Sequence, residues 1–211
     1  MKNETIIKTR NFVMQLHAND TSGHDWWHIQ RVTQLALQIA SKENADSYLV
    51  EMAALLHDVD DWKLGNTNPN KTQLFLEDLG ISQQEAVTIL TIIGEVSFKG
   101  AGVETPTTSI ESQCVQDADR LDALGAIGIA RAFTYGGSKN RSLYEPNIDP
   151  VMHGSFQEYQ VNQSHTINHF YEKLLLLKDR MTTPTGKVLA EERHQYMVGY
   201  LKQFFREWNL D

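Results

Sequence analysis

A single cysteine, Cys114, stands among 211 residues. That excludes an intramolecular disulfide framework and a cysteine-rich zinc site, and leaves the thiol to be read as a buried helix-packing group. Basic charge is also in short supply: 19 lysines and arginines against 27 acids give a formal charge of −8. A nucleic-acid polymer is therefore not an expected partner, because such a surface needs a basic face to displace counterions. A small phosphorylated ligand stays open, since a bound cation and a few lysines reverse the field locally. Long apolar runs are missing, so no segment is expected to span a membrane. The opening Met1-Lys2-Asn3-Glu4-Thr5 leads into an amphipathic pattern rather than a signal-peptide core. A cytoplasmic location is the simplest expectation. Convincing strand alternation, repeats and low-complexity tracts are absent as well.

What is present is an ordinary globular composition, 41% hydrophobic and 22% charged. The length allows a sizeable core in one domain, residues 1–211. Helical periodicity runs nearly throughout. Ile6, Ile7, Phe12, Val13 and Leu16 predict a first helix. Asp20-Thr21-Ser22-Gly23 supplies turn and cap chemistry before a second, striped by His28, Val32, Leu35, Ala36 and Ile39. Tyr48 to His57 reads as a third helix capped at Asp46 or Ser47. Gly65 to Asn70 is a loop, Thr72 to Leu79 a short helix ending at Gly80, and Ser82 to Glu85 a capping box opening a helix through Ile93. Glu111 to Phe133 reads as one helix, with Leu121, Leu124 and Ile127 on its face and Gly125 and Gly128 open to a neighbour. Tyr135 to about Gly154 reads as a lid-like loop. Ser164 to about Arg180 and Lys187 to about Trp208 complete an all-α compact bundle.

His57-Asp58 is the most informative pair. It closes the apolar run Met52-Ala53-Ala54-Leu55-Leu56 and is followed by Asp60 and Asp61. Metal-ligand side chains at the end of a buried helix are costly unless something compensates their burial. A divalent cation would do so. His28 lies upstream, and Asp119 downstream in Gln116-Asp117-Ala118-Asp119-Arg120-Leu121-Asp122.

That order of residues resembles the HD superfamily of metal-dependent phosphohydrolases. His28, in Trp27-His28-Ile29-Gln30-Arg31-Val32, matches the family's first histidine. His57 and Asp58 match its doublet, and Asp119 its final aspartate. Residues 20–130 carry this likeness as the metal-site core, with C-terminal helices over 160–208 packed on it. The chain is also similar, over nearly its whole length, to a small bacterial group linked to nucleoside triphosphate pyrophosphohydrolysis. The motifs are Gly23-His24-Asp25-Trp26-Trp27-His28 and Asn168-His169-Phe170-Tyr171-Glu172-Lys173-Leu174.

The resemblance implies His28, His57, Asp58 and Asp119 as ligands of one divalent ion. Two imidazoles and two carboxylates suit Mn²⁺ first, with Mg²⁺, Co²⁺, Ni²⁺ or Fe²⁺ as alternatives. Dinuclear relatives carry further histidines after the doublet, and Leu90 to Phe98 has none. The ion would activate water for attack on phosphorus, with Asp61 as the candidate proton-transfer group. Arg31, Lys63, His24 and Lys173 are candidate phosphate contacts, each also readable as an ordinary surface or ion-paired residue. Asp122 shares a face with Asp119. It orients a metal-bound water or His28, or it pairs with Arg120 or Arg31. Trp26 and Trp27 stack a base or pack the helix start. His165 and His169 share zinc-like spacing but lack the metalloprotease glutamate, and Tyr135 to Arg141 matches no phosphate-loop pattern.

The activity expected is cleavage of a (d)NTP to monophosphate and pyrophosphate. The alternatives are a 5′-nucleotidase or cyclic-nucleotide phosphodiesterase, or a metal- and nucleotide-binding sensor without turnover. A homodimer is the expected assembly.

Overall fold

The computed structural model describes residues 2–18, 20, 23–60, 70–161 and 164–211. The all-α expectation holds, and the described residues contain no strand. The chain forms two compact units. One comprises residues 1–98 and 105–119, the other 99–104 and 120–211.

The first unit is built around α3 (Ser47–Leu56). Val50 and Met52 to Leu56 are all fully buried, so α3 is apolar on nearly every side and belongs in the middle of a bundle. It packs against α1 (Lys2–Leu16), α2 (Trp26–Glu43) and α5 (Gln83–Gly94), while α4 (Lys71–Asp78) packs on α5. α2 is amphipathic and buries Ile29, Val32, Ala36 and Ile39. Leu35 is only half-buried, whereas Thr33 is fully buried with its hydroxyl donating to the Ile29 carbonyl at 2.8 Å. The cap of α3 is Asp46, whose carboxylate accepts the Tyr48 and Leu49 amides at 2.9 and 3.2 Å. α6 (Ile110–Asp122) contributes Cys114, Val115 and Ala118 to the buried set. Burial pushes the Cys114 thiol up to about 12, so it is an inert packing group.

The second unit departs from the expected helix boundaries. The continuous helix predicted over 111–133 is two helices, α6 and α7 (Gly125–Ser138). The break falls at Ala123-Leu124, and Gly125 has a φ of +70° that favours glycine. Ile127 is correspondingly exposed rather than core. Gly125 does meet a neighbour, since the Arg193 side chain comes within 3.2 Å of the position a Cβ would take. The predicted 164–180 helix also divides. α9 (Thr166–Glu172) ends at Lys173, and Leu174–Arg180 continues as a 3₁₀ helix. A short α8 (Phe156–Val161) follows the expected loop, whose first residues instead end α7 at Ser138. Pro184 opens α10 (Pro184–Asn209), three residues before the expected start at Lys187. It sits in the first turn behind the Thr183 cap, where its missing N–H costs nothing. α10 packs on α7 and the 3₁₀ segment, burying Met197 and Leu201 against a core that includes Ile167, Phe170 and Leu177. Tyr144 stands edge-on to Phe204, Phe205 and Trp208, with Trp208 at a 4.9 Å centroid distance. Arg180 binds the 99–104 segment by donating to the Gly100, Ala101 and Val103 carbonyls.

Among the described residues, no helix is long and apolar enough to cross a membrane.

Candidate metal centre

Three helices of the first unit carry the candidate ligands. His28 lies in the first turn of α2. The helix cap is Asp25 rather than the expected 20–23 segment, and its carboxylate accepts the His28 amide at 2.9 Å. His57 is the residue at which α3 ends, and Asp58 follows it. Its Nδ1–H donates to the Ala54 carbonyl at 2.8 Å. That bond fixes the tautomer and leaves the Nε2 lone pair for another partner. Asp119 sits in the last turn of α6.

The structure brings these four side chains together. His28 Nε2 is 3.3 Å from Asp58 Oδ2 and 3.6 Å from Asp119 Oδ1. His57 Nε2 is 3.4 Å from Asp58 Oδ1 and 3.7 Å from Asp119 Oδ1. Asp58 thus directs one oxygen to each imidazole. Single ligand atoms of His28, His57 and Asp119 all lie within 4.8 Å of one another. The rings of His28 and His57 meet edge to face at 5.3 Å.

These separations fit a shared cation better than direct hydrogen bonds. The four contacts are longer than good N–H···O bonds. His57 Nε2 and Asp58 Oδ2 are buried with no hydrogen-bond partner. Adjacent ligands on a small octahedral divalent ion stand about 3 Å apart. The donor set of two imidazoles and two carboxylates suits such an ion. His28, His57 and Asp58 side chains are 1, 2 and 8% exposed, whereas Asp119 is 28% exposed, so the cluster opens to solvent at Asp119.

The electrostatics agree. Burial disfavours the charged form of His57, yet Asp58 and Asp119 outweigh it and raise the imidazole to about 9. Burial likewise opposes ionisation of Asp58 and Asp119, and the neighbouring imidazoles still hold both carboxyls well below the usual range. The site draws in positive charge.

The HD domain model matches residues 26–124, a span holding all four side chains. The chain belongs to the HD superfamily. It is similar to an HD-superfamily hydrolase from Bacillus thuringiensis, 43% identical over the whole of both chains with a TM-score of 0.76. A Lactobacillus plantarum protein of known structure is 38% identical, with 99% of this chain and 98% of that one covered and a TM-score of 0.90. YpgQ of Bacillus subtilis is 39% identical over 202 residues, 94% of this chain and 91% of YpgQ. A crystal structure of YpgQ in complex with ADP aligns with a TM-score of 0.75, covering 96% of this chain and 97% of that one. This chain is accordingly an HD-superfamily hydrolase, and the HD domain implies a divalent metal.

His24 is half-buried and edge-on to His28 at a 5.9 Å centroid distance. Arg31 is half-buried one turn along α2 from His28. Asp61 and Lys63 lie outside the described residues. Lys173 belongs to the second unit, half-buried at the junction of α9 and the 3₁₀ segment. Asp122 is buried in that unit and forms an ion pair with Arg131 at 3.2 Å. Trp27 is 62% exposed, whereas Trp26 is half-buried.

Asp60 was expected among the metal-type acids after the doublet. Its carboxylate instead accepts the Lys71 and Thr72 amides at 3.1 and 3.2 Å, capping α4 from across the intervening segment. The sequence holds no local signal for that pairing, because the cap and the helix start are 11 residues apart.

Proposed function

We propose that this hydrolase is a nucleotide pyrophosphohydrolase that converts a (d)NTP to the (d)NMP and pyrophosphate. The observation that carries the reading is the buried cluster of His28, His57, Asp58 and Asp119, with its unsatisfied ligand atoms and its opening at Asp119. The ADP bound to the relative YpgQ supports a nucleotide as the ligand.

In this reading His28, His57, Asp58 and Asp119 hold one divalent ion, Mn²⁺ by preference. When bound, such an ion polarises a phosphoryl oxygen and lowers the pKa of water. The chain's own residues do the rest. Ala54 holds the His57 imidazole in orientation by accepting its Nδ1–H, and Asp25 fixes the start of α2 at the His28 backbone amide. His24 and Arg31, beside or one turn from His28, contact the phosphates together with Lys63. Asp61, three residues beyond Asp58, takes the proton from water or returns one to the leaving oxygen. Water adds to the α-phosphorus, the bond to the α–β bridging oxygen breaks, and pyrophosphate departs. Residues 1–211 act as one functional domain, in the cytoplasm.

The test is a product assay on metal-stripped protein resupplied with Mn²⁺, Mg²⁺, Co²⁺ or Ni²⁺. Triphosphates, monophosphates and cyclic nucleotides are offered in parallel, with Asp58→Ala as control. Metal-dependent pyrophosphate from triphosphates, lost in the control, is expected. Orthophosphate from monophosphates alone, or nucleotide binding without any product, refutes the reading.

A further inference from the structure

His17 is 2% exposed, immediately after the end of α1. Its Nδ1 lies 2.8 Å from the His24 carbonyl oxygen. A carbonyl only accepts, so Nδ1 carries the hydrogen. Its Nε2 is buried and has no hydrogen-bond partner. An apolar residue would fill this place without burying an unsatisfied nitrogen. What histidine adds is the bond to His24.

His24 is where such a bond matters. It directly precedes Asp25, the cap of α2, and so lies outside the helix that fixes His28. Two side chains hold its backbone from opposite ends. Asp20 Oδ1 accepts its amide at 3.1 Å, and His17 donates to its carbonyl. The ring so placed stands edge-on to His28 at a 5.9 Å centroid distance.

We propose that His17 is a positioning residue, which fixes the backbone of His24 so that the His24 ring stands beside the metal cluster to contact substrate phosphate. The phosphate contact rests on the function proposed above. The fixing of His24 does not.

The experiment uses the full chain. His17→Leu removes the donor, and His17→Asn keeps an amide N–H where Nδ1 stands. His17→Gln, with its amide at the Nε2 position, replaces the leucine variant should that one fail to fold. ¹⁵N spectra of the histidine rings, taken with Mg²⁺ because Mn²⁺ is paramagnetic, report on His24 without substrate. Its signals are assigned by their loss in His24→Gln. They are expected to shift and broaden in His17→Leu and to return in His17→Asn. With Mn²⁺ and a dNTP, loss of one hydrogen bond's worth of placement raises KM about fivefold in His17→Leu while kcat stays within about twofold. Calorimetry with the metal alone shows affinity within about twofold of wild type. The double variant His17→Leu/His24→Gln is no worse than His24→Gln. Unchanged His24 signals overturn the inference, as does an asparagine variant as defective as leucine, or losses that multiply in the double variant. If the wild type releases no pyrophosphate, the proposed function fails while the ring spectra still decide the role of His17.

Discussion

Stripped protein titrated with Mn²⁺ between pH 6.5 and 8.5 tests the electrostatic account of the cluster directly. Without metal, the carboxylates of Asp58 and Asp119 raise His57 to about 9. Across this range His57 therefore carries a proton on the Nε2 atom that faces both carboxylates, because Nδ1 is committed to Ala54. A metal ligand must surrender that proton. Asp58 and Asp119 are held well below the usual carboxylate range and have none to lose. One proton displaced per ion makes the apparent affinity rise about tenfold per pH unit, flattening only near 9. From pH 6.5 to 8.5 the gain approaches about a hundredfold, or roughly 2.7 kcal/mol. Competition with a fluorescent chelator measures the affinity. Calorimetry in two buffers of different ionisation enthalpy measures the proton release, expected near one at pH 7. An affinity flat across the range, or a release near zero, refutes the claim that His57 is protonated in the empty site and bound through Nε2 in the loaded one.

The same proton makes a stability prediction of opposite sense. A folded-state value of about 9 against an ordinary 6.5 stabilises the stripped fold fully below pH 6.5, by roughly 3 kcal/mol at most, and the contribution disappears as pH rises through about 9. Urea midpoints of stripped protein should fall between pH 7 and 9.5, and a constant midpoint contradicts this. Asp60→Ala leaves the first amides of α4 uncapped and should cost about 1–2 kcal/mol in urea unfolding; a loss below 0.3 kcal/mol, on the order of ordinary surface variation, shows the cap to be idle. Gly128→Ala places a Cβ on the Ala123 carbonyl at the α6–α7 break and should destabilise by about 1–3 kcal/mol by the same measurement. A neutral result means the turn can relax.

Much of the first unit is legible in the sequence because its signals are local. The Met52 to Leu56 run shows α3 to be buried all round, and Asp46 and Ser82 are side-chain caps at the expected helix starts. The His57-Asp58 doublet is legible because charged groups closing such a run need a reason. The second unit is less legible, for identifiable causes. Leu121 and Leu124 continue the apolar pattern of α6 through the break, so only the backbone of Gly125 betrays it. Leu174 to Leu177 offers leucine on every side, so the sequence does not distinguish a period of 3.6 from 3.0, and the change to 3₁₀ at Lys173 leaves no trace. Pro184 reads as a breaker or as a first-turn residue with equal ease, and Thr183 decides for the latter by accepting the Gly186 amide at 2.9 Å. Asp60 and His17 act on partners reached across loops, and neither partnership has a spacing rule.

The placement of the four cluster residues on helix termini also bears on which charge the site prefers. His57 and Asp58 stand at the C-terminal end of α3, and Asp119 lies in the last turn of α6. Both ends carry the negative pole of a helix dipole, which favours a cation. His28 stands in the first turn of α2, where the pole is positive, but there Asp25 already meets the exposed amide. With neutral imidazoles, Asp58 and Asp119 leave the cluster with two negative charges. A proton on His57 cancels one of them, and the raised imidazole shows how strongly that partial remedy is drawn in. A divalent ion cancels both while satisfying His57 Nε2 and Asp58 Oδ2, the buried atoms that protein partners leave unmet. A monovalent cation would repeat the proton's incomplete balance. The preference for a doubly charged ion thus follows from the chain's own charges and helix ends, independently of its likeness to any relative.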